Sequence, residues 1–175
     1  MRPHLNLAPL FTFLAMLCLG APSHATTGVT LQSQQNGRYV CSGGTWLAAS
    51  CDVREAIQFE MDYLADGSVA FRDLETGRYM SAGQDAQGMI SVLANAIGPR
   101  ERFEIQDWNG ATYLRSAVVG AFVRAGIGQQ TYLGAASPHM GGWEAFRVLP
   151  ASDIGPVGEI ELPDRIQRLA GDWQI

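Results

Sequence analysis

The chain has 175 residues, 47% apolar and 17% charged, with 20 glycines and 8 prolines. That is length for one domain with a real core, and too little charge for charge-driven disorder. The formal charge of −5, carried against arginine with no lysine, excludes a general nucleic-acid binder.

Residues 1–25 read as a secretory leader. Arg2 supplies the positive start, an apolar run extends from about Leu7 to Leu19, and Ser23 and Ala25 are the small residues before a cut. The run is shorter than the roughly 20 residues a membrane span needs, and no later segment in the mature chain is long and apolar enough. The mature chain is therefore expected outside the cytoplasm, secreted or periplasmic. With Cys18 removed, Cys41 and Cys51 remain in an oxidising compartment, where a disulfide between them is expected in preference to two buried thiols.

From residue 29 the sequence repeats itself three times. Each copy opens on a short alternating run: Val29-Thr-Leu31, Val69-Ala-Phe71, Thr112-Tyr-Leu114. A glycine follows six residues on (Gly37, Gly77, Gly120), then an aromatic (Tyr39, Tyr79, Phe122), then a second glycine (Gly43, Gly83, Gly126). A short apolar run follows, containing Leu47, Leu93 or Leu133. The closing run starts on a glutamate with an apolar residue two later: Glu55/Ile57, Glu101/Phe103, Glu144/Phe146. The repeat is about 43 residues long, and alternation at period two predicts four strands per copy with one buried face each. Asn36-Gly37, Thr76-Gly77, Asp66-Gly67 and Asn109-Gly110 mark the turns.

Twelve short strands in three units, none able to bury its face alone, predict a β-trefoil: a six-stranded barrel capped by three hairpins. The repeats take residues 29–66, 67–109 and 110–150 of a 26–150 domain. The expected layers are Leu31/Phe71/Leu114, Tyr39/Tyr79/Phe122, Leu47/Leu93/Leu133 and Ile57/Phe103/Phe146. The recurring Glu55, Glu101 and Glu144 are expected to do a structural job, accepting backbone N–H groups where the closing strand starts.

The segments NGRYVCSG, TGRYMSAG and VGAFVRAG, with the closing runs EAIQF, ERFEI and EAFRV, resemble the fascin-like β-trefoil family over about residues 29–150. The resemblance implies the fold. Fascins proper chain four such units to bundle actin, whereas this chain has one. The lectin-type trefoils, with a Q-x-W in each repeat, are matched only at Gln106-Asp107-Trp108.

Residues 151–175 fall outside the repeats. Asp153 to Pro163 reads as loop. Asp164 can cap a short helix whose apolar face is Ile166, Leu169 and Trp173, stopped at Gly171.

No nucleophile–base pairing, metal-ligand spacing or nucleotide loop appears. His139 is the one histidine of the mature chain, in the loop SPHMGGW. No enzyme activity, cofactor or metal is expected. Residues that differ between repeats are free of the barrel's symmetry, which singles out Trp46, Tyr132 and Trp143, with Gln129, Gln130 and His139 as polar neighbours. Aromatic rings beside amides grip sugars by stacking on their C–H faces. Trp108, which ends a closing strand, is expected to pack instead. The predicted partner is a glycan or an extracellular protein. The other two readings are a trefoil proteinase inhibitor and, from the family resemblance, an actin-binding protein.

Overall fold

The computed structural model describes residues 28–154 apart from residue 84. The leader 1–25 and the predicted helix from Asp164 to Trp173 lie outside the described residues. Twelve strands run in chain order: β1 Val29–Ser33, β2 Tyr39–Ser42, β3 Leu47–Cys51, β4 Phe59–Tyr63, β5 Val69–Asp73, β6 Tyr79–Ala82, β7 Ile90–Ala94, β8 Phe103–Trp108, β9 Ala111–Ser116, β10 Phe122–Ile127, β11 Tyr132–Ser137 and β12 Phe146–Pro150. A single 3₁₀ turn precedes the fourth strand of each unit, at Val53–Glu55, Pro99–Glu101 and Gly142–Glu144.

Six strands close a ring in the order β1, β4, β5, β8, β9, β12 and back to β1. The ring's three seams are equivalent: Val29 faces Phe59, Val69 faces Phe103 and Thr112 faces Phe146. The three barrel hairpins keep one register too, with Leu31 opposite Val148, Phe71 opposite Met61 and Leu114 opposite Ile105. The remaining strands form three cap hairpins, β2–β3, β6–β7 and β10–β11. This is a β-trefoil, and ring closure leaves the barrel strands no open edge.

One turn is built three times. The Ser33, Asp73 and Ser116 N–H groups donate to Arg38, Arg78 and Ala121 O, at 2.9, 2.8 and 2.9 Å. Gly37, Gly77 and Gly120 close the same turns by donating back to Ser33, Asp73 and Ser116 O. Their φ values of 68°, 71° and 73° lie in the left-handed region, where a side chain is strained. The recurring glycine in the sequence is this backbone requirement.

Leu31, Phe71 and Leu114 form a core layer as expected, fully buried. Phe59, Phe71 and Phe103 meet edge to face, with ring centroids 6.0 and 6.1 Å apart. Three expected layers shift. Tyr39, Tyr79 and Phe122 are only half-buried, and the residues after them, Val40, Met80 and Val123, fill the core. The aromatics start the cap hairpins on the outer face, where the Tyr79 hydroxyl donates to Asp62 Oδ2 at 3.1 Å and Phe122 packs edge-on to Tyr113.

Leu93 is 53% exposed, and Ile90 takes the place beside Leu47 and Leu133. Each cap hairpin slips register at the same place, Tyr39/Val40, Tyr79/Met80 and Phe122/Val123, and β10–β11 slips again between Arg124 and Ile127. The residues skipped at the shared place are Ser50, Leu93 and Ala136, so Leu93 occupies a bulge that turns its side chain outward. The same slip makes Met89, not Val92, the counterpart of Trp46 and Tyr132.

Ile57 is the third departure. In the first repeat the 3₁₀ turn and its glutamate stand four residues before the closing phenylalanine instead of two, so Phe59 is the counterpart of Phe103 and Phe146. All three are fully buried.

Cys41 on β2 and Cys51 at the end of β3 form a disulfide, with Cα atoms 6.2 Å apart. It braces the first cap hairpin. Beyond β12, Ala151–Ile154 makes a 3₁₀ turn, and the Ala151 N–H donates to Gly28 O at 2.7 Å. The two ends of the described chain therefore leave the barrel side by side. Among the described residues no helix is long and apolar enough to cross a membrane.

Candidate functional site

The β2–β3 turn carries Trp46. Gly43 N–H donates to Trp46 O at 2.8 Å, closing the turn, and Gly44 passes through it at φ 93°. Leu47 then points into the core, which leaves the preceding indole half-buried at the surface. The β5–β6 turn faces it. There Asp73 is buried and spends both carboxylate oxygens on its own turn: Oδ1 accepts the Glu75 N–H at 3.0 Å and Oδ2 the Thr76 hydroxyl at 2.6 Å. Glu75 and Arg78 are fixed in place by that backbone, yet their charged ends make no ion pair or hydrogen bond among the described residues. With Ile57, Val92 and Leu93 as apolar floor, the two turns enclose a cleft of about 480 Å³.

The first repeat's different glutamate spacing bears on this cleft. Leu74, Ala117 and Gln34 N–H groups donate to Gln58, Arg102 and Ala145 O at 2.9, 3.0 and 2.9 Å, which fixes the three registers. Counting back one residue sets Ile57 against Glu101 and Glu144. Both glutamates are buried. Glu101 Oε2 accepts the Gly98 N–H at 2.7 Å, the structural job expected of it, and Glu144 Oε1 lies 3.7 Å from Arg124 Nε. Glu55 does neither. It stands two residues ahead of the equivalent position, exposed to solvent, and leaves Ile57, without a carboxylate, at the cleft floor.

The equivalent turns elsewhere differ in chemistry. In the first repeat, Asn36 Nδ2 donates to Ala49 O at 2.9 Å, Gln34 Nε2 donates to Gly110 O at 3.1 Å, and Gln35 lies against Gly142. In the third repeat the same positions are Ala117, Val118 and Val119, with no polar side chain to offer.

The residues singled out in the sequence divide between two regions. Trp46 lines the cleft. Tyr132 stands behind it: it pairs with Ala48, and a Cβ on Gly43 would lie 2.9 Å from its ring, so the phenol backs the turn that carries Trp46. Gln129 and Gln130 are exposed at the neighbouring β10–β11 tip, which Thr131 anchors through its hydroxyl to Ala49 O at 2.8 Å. Trp143 lies elsewhere, packed on the core over Gly126, where a Cβ would come within 2.8 Å of the indole. His139 is exposed in the loop after β11, at the opposite end of that strand from Tyr132. Trp108, expected to pack, is 60% exposed. It ends β8 at the barrel rim, beside the Asn109-Gly110 turn, with no layer beyond it among the described residues.

Glu75, Thr76, Arg78 and Leu93 were not singled out. The signal was available: Asp-Leu-Glu-Thr departs from Ser-Gln-Gln-Asn and Ser-Ala-Val-Val at the same turn. Among the described residues, no three His, Cys, Asp or Glu side chains stand close enough to hold a metal ion.

No family model matches this chain, and no curated protein matches it. Solved structures do share its fold. The chain resembles a designed three-fold symmetric protein, ThreeFoil, at TM-score 0.59 and 13% identity, over 70% of this chain and 97% of that one. It resembles a salivary protein from Culex quiquefasciatus, of the Cysteine and Tryptophan-Rich family, at TM-score 0.60 and 13% identity, over 71% and 94%. A GlcNAcα1-4Gal-releasing endo-β-galactosidase from Clostridium perfringens is similar at TM-score 0.60 and 13% identity, over 71% of this chain and 32% of the enzyme. The chain thus spans about a third of that enzyme. At such identity the likeness is one of fold alone.

Proposed function

We propose that this chain is an exported, non-enzymatic binding module that takes a glycan in the cleft beside Trp46. The observation that carries the reading is the combination at that cleft: a half-buried indole, an apolar floor, and across from it the charged ends of Glu75 and Arg78, unpaired among the described residues. An indole stacks on the C–H face of a sugar ring while carboxylate and guanidinium take its hydroxyls. The rigid frame and variable turns suit recognition, since a fold by itself does not specify chemistry. The Cys41–Cys51 disulfide supports the exported compartment read from residues 1–25. The endo-β-galactosidase among the structural neighbours acts on a glycan, which lends the reading weak support from fold.

A glycan array probed with the whole chain tests this. Wild type is expected to bind a set of related glycans, and Trp46→Ala to lose them by at least about tenfold in affinity. A blank array with folded wild-type protein would remove the reading. A proteinase-inhibitor role rests on a different observation, the disulfide brace under the β2–β3 turn. Its readout is slowed hydrolysis by secreted proteases at micromolar protein. The fascin-like resemblance carries actin binding as a third reading, which co-sedimentation addresses.

A further inference from the structure

A second cleft, of about 430 Å³, adjoins the first and is lined by Arg54, Glu55, Ala56, Gln58 and Leu74. The two share Ile57, Asp73 and Glu75, so they meet along the β5–β6 turn, and a chain ligand lying across that turn would fill both as one groove. Each half falls within the ~300–1,000 Å³ range that holds a drug-sized ligand, so the whole has room for an oligomer rather than one sugar ring. Both ends run out at exposed residues, Gly44 and Thr45 at one and Arg54 and Gln58 at the other.

The groove's charges are balanced. Arg78 and Glu75 stand on one wall, Arg54 and Glu55 at the far end, and none of the four side chains has an ion pair or hydrogen bond among the described residues. Arg38, Arg72, Arg102, Arg115 and Arg124 each face a carboxylate instead. A polyanion in this groove would meet two glutamates and a chain of net charge −5, and a polycation would meet two arginines. Hydroxyl groups, which donate and accept, satisfy both kinds at once.

Resting on the glycan reading above, we infer that the groove takes an internal stretch of a neutral, linear polysaccharide, running from Trp46 to Arg54. Residues 54–58, between the first repeat's early 3₁₀ turn and β4, build its second half, which sets its length.

Calorimetric titration of the whole chain with ladders of cello-, laminari- and xylo-oligosaccharides, one to six units long, tests this, with alginate oligomers as the charged comparison. For one neutral ladder, affinity is expected to rise at least about tenfold between one and four units. Borohydride reduction of the chain end should leave the hexamer's affinity unchanged. Arg54→Ala and Glu55→Ala, both on an exposed turn, should weaken the hexamer about three- to tenfold and leave the two-unit ligand unaffected, whereas Trp46→Ala weakens both. A monosaccharide that binds as well as the hexamer would overturn the extended groove while sparing the glycan reading. So would Arg54 and Glu55 variants that bind the hexamer normally. Tighter binding of alginate overturns the neutral ligand. Binding to none of the four series overturns this inference, and a blank array beside it removes the glycan reading as well.

Discussion

Leu93 and Leu133 hold matching places in the repeated sequence and opposite places in the protein. One lies in a bulge at the surface and the other is fully buried. Leu133→Ala is expected to cost about 2–5 kcal/mol in urea denaturation, the range for a buried leucine, and Leu93→Ser to stay within about 0.5 kcal/mol. Equal losses would mean the β6–β7 register is wrong. Gly126 makes a second test. Its φ of 86° and the indole of Trp143 above it leave no place for a methyl group, so Gly126→Ala should destabilise by more than about 1 kcal/mol. The same melt on Gly120→Ala, where the nearest side-chain atom is 3.5 Å away, separates backbone strain from the clash with the ring. At this scale the sequence was legible for residues that alternate in step with the barrel strands, such as Leu31, Phe71 and Leu114. It misled at Tyr39, Tyr79 and Phe122, because an aromatic at a strand's first position serves the outer face as readily as the core, and only the following bulge decides.

Strands and turns carry the next level. The disulfide closes a short loop, with a sequence separation of 10, and removing it by a Cys41→Ser, Cys51→Ser pair should cost about 2–3 kcal/mol by loop entropy. Unchanged stability in the double variant under oxidising conditions would show that the bridge does not constrain the unfolded chain. Asp66 ties two repeats together. Its carboxylate takes the Ser68 hydroxyl at 2.6 Å and the Ser68 N–H at 3.0 Å, and pairs with Arg102, just ahead of the second repeat's closing strand. The Ser68 bonds first, then the arginine, hold its carboxyl below the ordinary 3.8. A depressed folded-state value stabilises while the group is ionised, and that stability is lost as pH falls below about 3.8. Asp66→Asn should therefore trail the parent in thermal stability near neutrality, with the gap narrowing as pH drops below that value. A gap constant from neutral to acid would contradict the assignment. The early glutamate turn ahead of β4 was the least legible element. It keeps the glutamate spelling EAIQF, so the motif reads as conforming while the strand itself starts later, at Phe59.

The whole molecule is a threefold frame with one altered corner. The frame was readable because each repeat must satisfy the same backbone, so glycines at φ near 70° and alternating apolar pairs recur at fixed offsets. The groove was not, because it forms between repeats: Trp46 comes from one hairpin, Arg78 from the next unit's turn and Leu93 from that unit's cap. Each is unremarkable along the chain, and only ring closure sets them together. Binding that follows threefold symmetry would use all three turns. Binding at the altered corner uses one. Backbone amide shifts on titration with the tightest-binding neutral oligosaccharide decide between these. Changes are expected at residues 42–47, 54–58, 73–78 and 92–93, with the equivalent turns 33–38 and 116–121 unmoved. Shifts spread evenly over the three turns, or gathered instead around Tyr63 and Trp108 at the barrel rim, would contradict recognition by a single groove.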